Sequence, residues 1–88
     1  MNIPWEALSR AFVHPLRISI LEVLAMDGGR VLSPNEISAE LRAPLPKVDY
    51  HVKELAKANL LALVKTEPRR GATEHYYAIA PAPSGAGQ

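Results

Sequence analysis

Apolar residues in this chain fall first at helical spacing and then at strand spacing. Trp5, Leu8 and Phe12 recur every three to four positions behind Pro4, which suits a first helical turn, so the pattern predicts a short amphipathic helix over roughly residues 4–13. His14-Pro15 interrupts it. Leu16, Ile18, Ile20, Leu21, Val23, Leu24 and Met26 then make a segment apolar nearly all round, ending at Asp27-Gly28-Gly29, as expected of a central core helix closed by glycine.

Ser33-Pro34-Asn35-Glu36 is the sharpest local signal: a serine cap, proline at the first helical position and glutamate three residues after the cap. It predicts a short helix burying Ile37 and Leu41, after which Arg42-Ala43-Pro44-Leu45-Pro46 turns the chain. A further helix is expected over 46–58. With Val48 taken as the inward direction and about 100° per residue, Val52 and Leu55 fall within about 40° of it, and Pro46, Tyr50, Lys53 and Lys57 within about 40° of the opposite side. Beyond Asn59, residues 61–66 and 73–79 read as two strands, with a turn over 67–72 between them. Residues 81–88 are Pro, Ala, Ser, Gly and Gln, too poor in apolar bulk to pack, and are expected to form a disordered tail behind one domain spanning 1–80. The expected fold class is mainly α with a small β-hairpin (α+β): about four helices plus a two-stranded wing, the order of a winged helix-turn-helix.

Composition narrows the chemistry. At 88 residues and 48% hydrophobic side chains the chain suffices for one small core. Absence of cysteine excludes disulfides, thiolate metal sites and thiol nucleophiles. No apolar run approaches the roughly 20 residues that span a bilayer, and the first residues lack a basic start leading into an apolar stretch, so a cytoplasmic protein without membrane attachment is expected. Ser33 is accounted for by capping, Ser9, Ser19 and Ser38 fall within helices, and no glycine-rich phosphate loop is present, so no enzyme is expected. His14, His51 and His75 stand apart in sequence without a paired motif. They read as structural histidines, His51 packing or donating to backbone near the turn, and no metal, cofactor or small-molecule ligand is implied.

The net charge of +1 hides an asymmetry. Residues 1–41 carry three basic and five acidic side chains, whereas residues 42–70 carry seven basic and three acidic ones. Such a concentration is the footprint of a phosphate-facing surface. A short helix, a tight turn and a second helix present that second helix to the major groove of double-stranded DNA, which is wide enough for one α-helix. Lys47, Tyr50 and Lys53 on the outward, N-terminal part of the 46–58 helix are then the candidate base and phosphate contacts. Asp49 suits either a cytosine amino group or, as an acid in the first helical turn, the helix dipole. Lys57 and Lys65 read as backbone contacts or solvated side chains. Arg69 and Arg70, adjacent cations in the wing turn, point to phosphate or minor-groove contact.

His14-Pro15-Leu16-Arg17 with Ile20-Leu21 and Leu24, Val48-Asp49-Tyr50-His51-Val52-Lys53-Glu54-Leu55, Ala58-Asn59-Leu60-Leu61, and Arg70-Gly71 with Tyr76-Tyr77-Ala78-Ile79 together resemble the ArsR-type winged-helix transcriptional regulators over about residues 10–80. The resemblance implies sequence-specific operator binding, usually as a dimer and usually for repression. The family's cysteine metal sites have no counterpart here, and neither does the last helix that many members add after the wing, so a homodimer is expected to form through Trp5, Leu8 and Phe12. The alternative is a winged helix used as a protein-interaction module without direct DNA binding, because fold alone does not fix function.

Overall fold

The computed structural model describes residues 14–81. Three helices and an antiparallel hairpin follow in order: α1 (Pro15–Ala25) with a short 3-10 turn (Met26–Gly28), α2 (Pro34–Leu41), α3 (Leu45–Lys57), β1 (Leu61–Arg69) and β2 (Ala72–Ile79). The chain is therefore α+β, as a winged helix-turn-helix requires. Three α-helices, not four, lie among the described residues, and the helix expected over 4–13, with Trp5, Leu8 and Phe12, falls outside them.

Each boundary has a local cause. Pro15 at the first turn of α1 gives up an N–H that would have no intrahelical partner. At the other end the regular helix stops at Ala25, two residues short of the expected Asp27, because Asp27 enters the left-handed region (φ 55°) and Gly28 and Gly29 continue at positive φ. Ser33 and Glu36 form the capping box: Ser33 Oγ accepts from the Glu36 N–H at 3.2 Å, and Glu36 Oε1 accepts from the Ser33 N–H at 3.0 Å. Arg42 then closes α2 in the left-handed conformation (φ 53°), and Arg42-Ala43-Pro44 is the whole link to α3. The helix expected from Pro46 starts one residue earlier, at Leu45, which was expected in that turn: Pro46 in the second helical position fits the first turn at no cost in hydrogen bonds.

The core lies where the three helices meet the base of the hairpin. Ile20 and Leu24 of α1, Ile37 of α2, Val48, Val52 and Leu55 of α3, Leu61 of β1 and Tyr77 of β2 are buried together with Leu32. Leu32 also exchanges backbone hydrogen bonds with Tyr77, at 3.0 and 2.8 Å, which ties the α1–α2 connection to the wing.

The hairpin is longer and its turn tighter than the sequence pattern suggests. Residues 67–69, expected in the turn, continue β1, and Arg69 pairs with Ala72, so the turn is Arg70-Gly71 alone, both at positive φ (47° and 83°). Two residues at positive φ are what a two-residue hairpin turn needs to match the right-handed strand twist. Pro68 is accommodated because a two-stranded ribbon leaves one side of each strand without a partner. The register shifts between Leu63 and Lys65, leaving Val64 unpaired as a bulge. Beyond it Lys65, Glu67 and Arg69 share a face with Tyr76 and Glu74, and Thr66 and Pro68 lie opposite, with His75 and Thr73.

Candidate nucleic-acid interface

Helix α3 divides cleanly. Val48, Val52 and Leu55 point into the core, while Lys47, Tyr50, Lys53 and Lys57 are exposed. Packing of the β-branched and leucine positions fixes the rotation of the helix and so aims the opposite stripe at solvent. The wing stands beside it: a groove of about 460 Å³ is bordered by Leu45, Pro46, Asp49 and Lys53 on α3 and by Thr73, His75 and Tyr77 on β2, with Pro34 and Asn35 of α2 at its edge. Recognition-type helix and hairpin thus flank one concave surface.

The charges on this surface are less free than a count suggests. Lys53 Nζ lies 2.8 Å from Asp49 Oδ2, one helical turn away, and this hydrogen bond raises the lysine's pKa. Lys57 pairs with Glu54 at 3.3 Å and Lys65 with Glu67 at 2.8 Å. Asp49 is the fifth residue of α3 and so lies past its first turn; its partner is Lys53, not the helix N-terminus assumed from sequence. Arg69 is drawn back along the wing, its Nη2 donating to Tyr76 Oη at 3.4 Å and its Nε 3.9 Å from Glu74, and the Tyr76 contact, followed by the acids, raises its pKa. Lys65 lies over the Tyr76 ring at 4.8 Å. Among the described residues, Arg42, Lys47 and Arg70 have no carboxylate within ion-pair distance. Arg70, at the very tip, is the cation the wing presents without a counter-charge.

Two residues not read as site residues from sequence belong to the flank of α3 that meets α1. Arg17, only 8% exposed, donates from Nε to His51 Nδ1 at 2.9 Å. His51 therefore accepts from a side chain on α1, where packing or donation to backbone was expected. The contact joins positions 34 apart in sequence, and the one local hint was an arginine inside a mainly apolar helix. Because Nδ1 accepts, the neutral imidazole carries its proton on Nε2. Burial first, and then the charge of Arg17 beside it, hold the His51 pKa below its usual value. His14, at the N-cap of α1, lies 5.1 Å from the same ring. His75 is on β2, opposite Thr66 and away from both.

Among the described residues no helix is long and apolar enough to cross a membrane, and no three potential metal ligands converge. Three helices with a tight α2–α3 turn and a hairpin against α3 define the winged helix-turn-helix class. The chain belongs to the helix-turn-helix domain family, whose model matches residues 12–64, from ahead of α1 through α2 and α3 into β1. It is a helix-turn-helix regulator of the DNA-binding kind. No curated protein matches it.

Proposed function

We propose that the protein is a sequence-specific double-stranded DNA-binding repressor of the ArsR-like winged-helix type, with α3 in the major groove and the wing tip on the adjacent backbone or minor groove. The observation that carries this reading is the exposed stripe Lys47, Tyr50, Lys53 and Lys57 on α3, whose Lys53 edge stands across one groove from the hairpin that ends in Arg70. Lys47 and Arg70 offer charge directly, whereas Lys53 and Lys57 would exchange Asp49 and Glu54 for phosphate. Asp49 then discriminates, accepting from a cytosine amino group and repelling a misplaced phosphate. Residues 1–80 would act as one domain carrying an 81–88 tail, and Trp5, Leu8 and Phe12 would pair two copies. A symmetric dimer calls for half-sites about one helical turn apart.

Fluorescence anisotropy of a labelled duplex, titrated at several salt concentrations, tests the reading. Binding should weaken steeply with salt, and the slope should flatten in Lys47→Ala/Lys53→Ala and in Arg69→Ala/Arg70→Ala. A folded wild type that binds no duplex at low salt would refute it. The protein-interaction reading then takes its place, favoured by the carboxylates of Asp49 and Glu74 at the groove and the exposed Leu63 and Val64 on the wing.

A further inference from the structure

A helix lying in the major groove, a channel about 12 Å wide, is bracketed by two phosphate backbones. The wing stands on one flank of α3, the flank of Asp49 and Lys53. On the other flank, α1 brings up a second cationic group. Lys47 and His51 are one turn apart on α3, and Arg17 and His14 meet His51 from the start of α1. The charges of Arg17, His14 and Lys47 all bear on the His51 ring, and Glu54, the acid facing it, is already engaged by Lys57 at 3.3 Å.

Arg17 is the anomaly in this cluster. Its side chain is more than nine-tenths buried, yet among the described residues no carboxylate pairs with it, and its partner is a neutral imidazole. Burying a charge that has no counter-charge among the described residues is costly, and a guanidinium cannot relieve that cost by losing its proton as lysine or histidine can. An arriving anion would offset it. The guanidinium fork matches phosphate oxygens in geometry as well as charge, and His14 and Lys47, which both bear on the His51 ring, are exposed.

We propose that Arg17, Lys47 and His14 form a second phosphate clamp on the α1 flank of α3, gripping the DNA strand opposite the one met by the wing, with His51 as the positioning residue that fixes the Arg17 guanidinium through Nδ1. This rests on the DNA-binding reading. The clamp reads no sequence. It sets the height and tilt at which α3 enters the groove, so that the outward stripe meets base edges in register.

The test is the salt dependence of duplex binding by the full chain, with a thermal melt of each variant. Loss of one phosphate contact lowers the slope of log affinity against log salt by about 0.9, equivalent to about an eightfold weaker affinity at 0.1 M salt. Arg17→Gln should show that change equally on different duplex sequences. His51→Phe keeps the ring but removes the acceptor and should move in the same direction, whereas His51→Gln, which can accept through Oε1, should restore most of the binding. An Arg17→Gln variant that is folded and binds with the wild-type slope overturns the clamp while leaving the DNA-binding reading intact. Should Arg17→Gln not fold, the two His51 variants decide, and identical slopes overturn it. A wild type that binds no duplex at all removes both.

Discussion

Arg70 breaks a local rule, and replacing it should separate stability from binding. It occupies the first position of the two-residue wing turn at φ 47°, a conformation that asparagine and glycine enter readily and arginine does not. Holding a side chain with a Cβ there costs about 1–2 kcal/mol, of which asparagine recovers a part, about 0.5–1 kcal/mol, through its local hydrogen bonding. In a domain of this size 1 kcal/mol corresponds to about 4–8 °C in Tm. Arg70→Asn should therefore raise the midpoint of a thermal melt followed by circular dichroism by about 2–8 °C, provided that the wing unfolds with the core to which Leu61 and Tyr77 bind it. The same substitution removes the cation at the tip, so duplex affinity at 0.1 M salt should fall by about eightfold and the salt slope by about 0.9. Opposite signs in the two assays are what a residue kept for binding at the expense of the turn must give. A variant that melts higher but binds DNA with the wild-type slope would refute the assignment of Arg70 to the interface. One that melts lower would refute the strain argument.

Other outcomes follow from single contacts. Ser33→Ala removes one half of the capping box at a fully buried position and should cost about 0.5–2 kcal/mol in chemical denaturation, while Glu36→Gln, which can still reach back to the Ser33 N–H, should cost less. Leu55→Ala empties the centre of the core and should cost about 2–5 kcal/mol, enough to unfold much of a small domain at ambient temperature. His51 has a lowered pKa in the folded state, so on acidification the unfolded chain takes up its proton first. Its contribution to stability is complete above the ordinary histidine value of about 6.5 and is lost as pH falls from there through the lowered native value. Urea midpoints measured between neutral and mildly acidic pH should fall in the wild type and flatten in His51→Gln; equal slopes in both would remove His51 as the titrating group.

Much of this architecture was legible in the chain because it is decided over a few residues. A capping box spans four positions, a glycine pair marks where a helix can no longer continue, and Val48, Val52 and Leu55 point one way from helical geometry alone. The order of elements followed, and with it the stripe of Lys47, Tyr50, Lys53 and Lys57. Alternation along β1 misleads, however: counting by twos from Leu61 and Leu63 puts Lys65 on their face, and the bulge at Val64 transfers Lys65 to the face of Tyr76. Nothing in the strand itself announces an extra residue, which exists only relative to a partner strand.

What the sequence by itself determined, then, was the set of helices and strands among residues 14–81, the face each helix turns inward, and the concentration of basic side chains between 42 and 70. Tertiary structure decided which of those charges remain available. It gave Lys65 to Glu67 and Tyr76 and folded Arg69 back onto Tyr76 and Glu74, and it left Arg70 at the tip of a two-residue turn. It also brought Arg17 to His51 across 34 positions. The physical reason is range: hydrogen bonds of helix and turn close within a few residues and are written in local composition. Charge pairing and burial depend instead on distances between elements, which no local pattern contains until the core has set them.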